Sequence, residues 1–360
     1  MSRSRVCCVI PAYRARESVC NVVRDALPYV DWVIVVDDAC PHGSGTAVRQ
    51  SFSTQDSVRV ITRDKNGGVG AAMKTGIEEA LGLGADIIVK IDADGQMDPS
   101  YIPGIVELFE NDPTLAYVKG NRFFDPIVLS RMPAVRLLGN SCLSLLAKFA
   151  SGFWNILDPT NGYLAFSGRI LPAVSWRNFA NSYFFEMSVL CEFGLKRAAI
   201  AELAMEPIYA GEQSSLSISR SLFSFPPKLW WLFLRRIILQ YYLFDINLGS
   251  LYILFGLLLA GFGTGFAAFE WWQSIVTGIP RTTGTVMLGV LPVLMGFQLI
   301  LNALLFDVQF SARSSREMLA VRPRRSESYG QIVKMRERTS CFDDGVSKPL
   351  EKLERFEEDQ

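Results

Sequence analysis

Two long uncharged runs constrain this chain more than any other feature. Between Asp245 and Glu270 lie 24 residues without a charged side chain, and between Arg281 and Asp307 lie another 25. A helix needs about 20 apolar residues to cross the hydrocarbon core of a bilayer, so each run suffices. Buried core helices are the alternative, but core helices of that length rarely lack every charge. The sequence therefore predicts a membrane protein with two spans. Lys228, Arg235 and Arg236 precede the first, and Arg313, Arg316, Arg322, Arg324 and Arg325 follow the second, whereas the connection "EWWQSIVTGIPR" holds only Arg281. The positive-inside rule then places both termini in the cytoplasm and that connection outside, with Trp271 and Trp272 in the outer aromatic belt. The opening "MSRSRVCCVIPAYRARESV" has no apolar stretch of useful length before Pro11, so no cleaved signal is expected.

The remaining composition excludes several classes. Formal net charge is zero, which gives no long-range pull on nucleic acid. Seven cysteines without paired spacing support neither a zinc knuckle nor a disulfide framework, and reduced thiols are expected. A single histidine, His42, leaves no material for a His-rich metal site or a Ser-His-Asp triad.

Residues 1–221 alternate strand and helix signals. Apolar runs at 6–13, 32–39, 58–64 and 85–94 are separated by helical patterns at 18–30, after Ser44, and at 68–84. Continuous apolar strands between helices indicate a parallel sheet covered on both faces. Ligands of such sheets sit at the carboxyl ends of the strands, where Asp37, Asp38, Asp92 and Asp94 all fall. In residues 222–246, Lys228, Arg235, Arg236 and Gln240 share one helical sector against a broad Trp/Leu/Ile/Tyr face, the pattern of a helix lying in the membrane interface; a linker helix packed on the preceding domain is the alternative. Residues 247–309 hold the two spans. Residues 310–360 form a charged tail, expected to be flexible or loosely helical.

The stretch "IVKIDADGQMDP" (88–99) puts Asp92 and Asp94 one residue apart at a strand end, where both side chains project to one face. Like charges that close require something positive between them. An EF-hand is excluded, because Met97 stands at the glycine position and Pro103 at the final glutamate position. A divalent ion shared with a phosphate ligand fits: Mg²⁺ or Mn²⁺ takes one or two carboxylates and fills its shell with phosphate oxygens and water. Surface acids on a turn are the plain alternative. "VVDDACPHGSGT" (35–46) is suited to gripping a ribose or base edge, with Asp37 the better candidate; helix capping by Asp38 and Ser44 competes. "NGGVGAAMKTG" (66–76) has the wrong spacing for a dinucleotide fold, since Met73 stands where the third glycine belongs. A close-packed helix start that lets backbone approach a ligand is expected there.

Taken in order, "VIPAYRARESV", "VVDDACPHGSGT", "NGGVGAAMKTGIEEA", "IDADGQMDP", "KGNRF" and "DPTNGYLAFSG" resemble the family 2 glycosyltransferases, specifically the polyprenyl-phosphate glycosyltransferases related to dolichol-phosphate mannose synthase. The resemblance spans roughly residues 5 to 240, and the two spans match the family's membrane-anchored branch. It implies a GT-A fold (Rossmann-like, mostly parallel sheet), a nucleotide-sugar donor, and inverting transfer to the phosphate of a membrane polyprenol. It further implies that Pro11, Ala12 and Tyr13 line the nucleotide, with Asp37 and Asp38 on base or ribose. Glu17 matches an acidic residue of the first motif, and Arg14 stands where the family usually has Asn. Asp92, Asp94 and Gln96 would bind Mg²⁺ or Mn²⁺ on the donor diphosphate. Arg122 corresponds to a phosphate-binding arginine, with Arg131 or Arg136 as a second, Arg136 preferred. Arg220, in the segment "GEQSSLSISRS" where the family has a closing polar loop, is a further phosphate contact. Asp158 and Glu186 are acids the family places near the sugar, for sugar recognition or arginine orientation.

This chemistry works without a histidine. A phosphate monoester has a second pKa of about 6 and arrives mostly ionised, so the acceptor needs alignment more than a base. A polysaccharide synthase on the same fold would carry a Gln-x-x-Arg-Trp motif and usually more spans, and this chain has neither. A non-catalytic membrane scaffold would have no need of the Asp92/Asp94/Gln96 set. Small residues in the first span (Gly256, Ala260, Gly261, Gly263, Gly265) would permit close helix contacts, and a homo-oligomer is expected.

Overall fold

A computed structural model describes residues 3–124, 134–206 and 218–312, with backbone alone at 134–136, 218–223 and 310–312. The strands are β1 (Val6–Ala12), β2 (Trp32–Asp37), β3 (Val58–Thr62), β4 (Ile87–Lys90), β5 (Leu115–Asn121), β6 (Leu164–Ser167) and β7 (Ala199–Ala204). They form one sheet in the order β3-β2-β1-β4-β6-β5-β7. All run parallel except β6, which is antiparallel to both β4 and β5. This is the mostly parallel α/β sheet expected, with one reversed strand.

Side chains alternate faces along each strand, so each central strand feeds two cores. Cys8, Ile10, Val33, Val35 and Val89 pack with α1 (Val19–Ala26) and α4 (Ile102–Asn111). Cys7, Val9, Ile34, Val36 and Ile88 pack on the other face with α3 (Val69–Gly82) and α6 (Phe185–Leu195). Between these helices come α2 (Ser44–Ser51) and α5 (Ala134–Ser151). The described cysteines are all unpaired thiols.

The glycine-rich start of α3 differs from expectation. Gly68 takes φ +90°, and the N–H groups of Gly70 and Ala71 donate to the Asn181 carbonyl at 2.8 and 3.1 Å. A Cβ at Gly70 would overlap the Ala180 carbonyl. The backbone that approaches this helix start is the chain's own segment leading into α6, so the glycines fix where α6 begins.

Helix α7 (Ile218–Ile238) runs on into a π-helical turn, Leu239–Leu243. It is amphipathic, and of its polar sector Lys228 is exposed while the C-terminal part turns to the domain. Arg235 pairs with Glu192 of α6, Arg236 is buried, and Gln240 donates to the carbonyls of Gly194 and Leu195. Phe225 and Leu229 bury against Ala147, Met187 and Cys191. Trp230, Trp231, Ile238, Leu243 and Phe244 are exposed. One helix thus docks on the domain by its polar sector and turns a broad apolar face outward.

Two 30-residue helices follow, α8 (Leu248–Thr277) and α9 (Thr283–Ala312), each about 45 Å long. Only 11% and 17% of their most apolar windows are buried, which excludes the core-helix alternative. Gly256, Ala260 and Gly263 of α8 face Gly296, Gly289 and Val293 of α9, so three of the five small residues close the hairpin on itself. A Cβ at Gly261 or Gly265 would meet open space. At the end of α9 nearest the domain, Asp307 accepts from both Arg236 nitrogens (2.7 and 3.0 Å), the Tyr241 hydroxyl (2.7 Å) and Trp154 Nε1 (2.9 Å).

Candidate active site

The carboxyl ends of β1, β2, β4 and β5 and the start of the reversed β6 meet along one edge. Two strand lysines flank β6 there: both Lys90 and Lys119 stand in register with Leu164. Neither is exposed to solvent. Lysines in continuous apolar strands must find oxygen partners. Lys90 Nζ donates to Asp92 Oδ1 (2.6 Å) and the Gly162 carbonyl (3.0 Å), and lies 3.3 Å from Glu186 Oε1 at the start of α6. Burial pushes the Lys90 pKa down, but Asp92 and Glu186 outweigh it and hold the ammonium above its ordinary value. The positive group beside Asp92 is therefore partly the chain's own. Asp94 is exposed in the turn beyond, where its Oδ1 accepts the Gln96 N–H at 3.0 Å.

On the other side of β6, Lys119 donates to the Asn161 carbonyl at 2.5 Å. The 158–162 loop is thus gripped at adjacent carbonyls by two buried ammonium groups. That loop carries Asp158, fully buried, which receives a fork from Arg122: Nε to Oδ2 at 2.8 Å and Nη2 to Oδ1 at 3.0 Å, with the Arg122 backbone N–H at 3.2 Å. Thr160 Oγ1 accepts from the same Nη2. Burial raises the Asp158 pKa, yet the Arg122 charge and hydrogen bonds, with Lys119 nearby, hold the carboxyl below its usual range. Beneath it, Glu202 of β7 accepts the backbone N–H groups of Leu157 and Asp158 and the amide of Asn121.

Around β1 and β2, Pro11 and Ala12 are buried at the strand end, while Tyr13 projects outward with the Arg14 guanidinium 5.3 Å from its ring centre. Arg14 adopts φ +56°, a left-handed backbone that Asn tolerates well, and its N–H donates to Cys40 Sγ at 3.1 Å. Glu17 is exposed in the turn before α1. Both oxygens of Asp37 accept backbone N–H groups, from Cys40 and Gly45, each at 2.7 Å. Asp38 accepts from Gly67 and Gly68 and pairs with Arg63. These two buried carboxylates build the turn after β2 and tie it to the loop before α3. Arg131 lies outside the described residues. Arg136 falls in the first turn of α5 and Arg220 in the first turn of α7, so the last four residues of "GEQSSLSISRS" are helical rather than loop.

Residues 7–168 match the family described as "Glycosyl transferase family 2". The chain is 33% identical over 173 residues to an undecaprenyl-phosphate mannosyltransferase of Micrococcus luteus, covering 47% of this chain and 69% of that one. The chain belongs to glycosyl transferase family 2. Its family 2 domain is also 29% identical over 214 residues to a UDP-N-acetylglucosamine–dolichyl-phosphate N-acetylglucosaminyltransferase of Methanococcus voltae, covering 56% of this chain and 84% of that one. A polyprenol monophosphomannose synthase of Mycolicibacterium smegmatis matches at 29% over 174 residues, covering 47% and 64%. In this glycosyltransferase the two exposed apolar helices are long and apolar enough to cross a membrane.

Three supporting residues of the candidate site were not anticipated from sequence: Lys90, Lys119 and Glu202. The signal was present, since "IVKID", "YVKGN" and "IAELA" each set a charge inside a buried-strand run. Burial pushes Glu202 up to about 7 and Lys119 down to about 8. Between about 4.5 and 7 the folded Glu202 keeps a proton that the unfolded chain releases, so its contribution to stability falls as pH rises through that window. Lys119 acts in a separate window, adding stability as pH rises above about 8. Glu202→Gln should therefore flatten the decline of melting temperature between pH 5 and 7. An identical slope in wild type and variant would remove Glu202 as its source.

Proposed function

We propose that this glycosyltransferase moves a hexose from a UDP- or GDP-linked donor to a polyprenyl phosphate, undecaprenyl or dolichyl, at the cytoplasmic membrane face. The observation that supports it most is the Arg122–Asp158 fork at the same sheet edge as Asp92 and Asp94, in a chain whose domain is bolted to a membrane hairpin. The names of the three relatives point to the same acceptor class.

Pro11, Ala12 and Tyr13 line the nucleotide, and Asp37 and Asp38 shape the turn that receives it. Asp92, Asp94 and Gln96 suit Mg²⁺ or Mn²⁺ shared with the donor diphosphate. They are hard oxygen donors at an open lip, and no cluster of three acid, His or Cys side chains closes a cage among the described residues. When bound, the ion would offset charge on the leaving diphosphate. Arg122, fixed in direction by Asp158, aligns the acceptor phosphate, with Arg136 and Arg220 as further phosphate contacts. One phosphate oxygen attacks the anomeric carbon in line, the bond to the nucleoside diphosphate breaks, and the configuration inverts. The acceptor arrives ionised, so no side chain need remove a proton. Glu186 stands across Lys90 from Asp92, placed to meet sugar hydroxyls. The outward face of α7 rests in the headgroup layer, with the catalytic domain cytoplasmic and the 278–282 connection on the far side.

The test incubates purified protein in detergent with polyprenyl phosphate, Mn²⁺ and labelled UDP- and GDP-sugars, with and without EDTA. Label from one donor passing into the lipid phase, and lost with EDTA, is expected. No lipid label from any donor, with folded protein and verified acceptor, would overturn the proposal.

A further inference from the structure

Lys90 sits where a metal-binding site would least be expected to keep a cation. Its ammonium has three donors and three oxygens around it: Asp92 Oδ1, the Gly162 carbonyl and Glu186 Oε1. It is also sterically confined, since a Cβ at Gly162 would stand 3.0 Å from Nζ and 2.8 Å from Asp92 Oδ2. The side chain is wholly buried and its ammonium is held against Asp92 at 2.6 Å. A fixed positive charge therefore accompanies the three carboxylates of Asp92, Asp94 and Glu186. With Lys90 the four side chains sum to two negative charges; without it they would sum to three.

We infer that Lys90 makes divalent-ion binding depend on the donor: its charge suppresses capture of the free ion, and the diphosphate supplies the missing negative charge and ligands. This rests on the metal-bound donor proposed above. An ion that enters only with the diphosphate leaves the empty site with no tightly held cation. Lys90 is on this account a positioning residue for Asp92 and an electrostatic gate for the ion.

Equilibrium dialysis of detergent-solubilised full-length protein against Mn²⁺, alone and with UDP or GDP, tests it. Wild type should retain Mn²⁺ weakly alone and far more tightly with one nucleotide. Lys90→Met should bind Mn²⁺ alone on the order of tenfold more tightly, shrinking the nucleotide's effect. Glu186→Gln should act in the opposite direction, weakening Mn²⁺ binding alone. A pair of opposite shifts cannot come from loss of folding, which would weaken both. Folded Lys90→Met with unchanged or weaker affinity for Mn²⁺ alone would overturn the inference, leaving Lys90 a structural anchor. If Lys90→Met does not fold, Glu186→Gln decides: unchanged or tighter Mn²⁺ binding overturns it. Wild type that retains no Mn²⁺ even with either nucleotide would sink the metal-bound donor as well.

Discussion

Arg122→Lys is expected to lower turnover by about two to three orders of magnitude while the protein stays folded. The estimate is that for removing one preorganised donor from a developing or reacting anion. Lysine keeps the charge, so the loss would come from geometry. The guanidinium meets Asp158 through two parallel N–H groups and Thr160 through one of them, an arrangement a single ammonium cannot reproduce. Asp158→Ala should cost a similar factor, because it frees the guanidinium to rotate, and the double variant should cost little more than either single one. It should also lose more stability than Arg122→Lys, since Asp158 is wholly buried and receives the Arg122 backbone N–H. Steady-state rates on the lipid acceptor, with melting curves for all three variants, check this. Fully additive losses would mean that Asp158 does not act through Arg122.

Asp307→Ala should destabilise the protein by about 3–5 kcal/mol, the cost of leaving Arg236 buried without its carboxylate. Four hydrogen bonds from three side chains converge on Asp307, and Arg236 also donates to the Phe149 carbonyl in the catalytic domain. Replacing both ions together, as Arg236→Met with Asp307→Leu, should recover most of the loss, because the penalty belongs to the stranded charge more than to the missing bond. Urea titration in a mild detergent measures both. A single variant within about 1 kcal/mol of wild type would show the pair to be solvated and weak.

Much of this fold was legible because its signals are long. Four apolar strand runs and two uncharged helical runs leave few alternatives; the strand limits fall within about four residues of those expected, while the two helices run on past the uncharged stretches to Thr277 and Ala312. The reversal of β6 was not legible: "LAFS" is four residues, too short to carry direction, and its hydrophobicity is the same either way. Which face of α7 would meet the domain was not legible either. A helical moment separates two faces but does not say what covers each. Here the apolar face is the outer one, and Arg235, Arg236 and Gln240 face the domain. At the site, the Asp92 and Asp94 spacing asked for a cation, yet the nearest one, Lys90, stood two residues upstream in the same quoted stretch. Asp37 and Asp38 suit a ribose by residue type; that they also accept backbone N–H groups and so build the turn is a role no residue-type pattern reveals.

The bolt between Asp307 and the domain has a consequence for traffic. An enzyme on a loose tether can sweep a volume and meet its substrates by swinging. A domain fixed to its stalk holds its reactive edge at one altitude. The two substrates of the proposed reaction then arrive by different routes. The water-soluble donor comes down from bulk solution, while the prenyl lipid drifts in sideways within a sheet two molecules thick. Encounter with the lipid becomes a search in a plane, governed by how crowded that plane is.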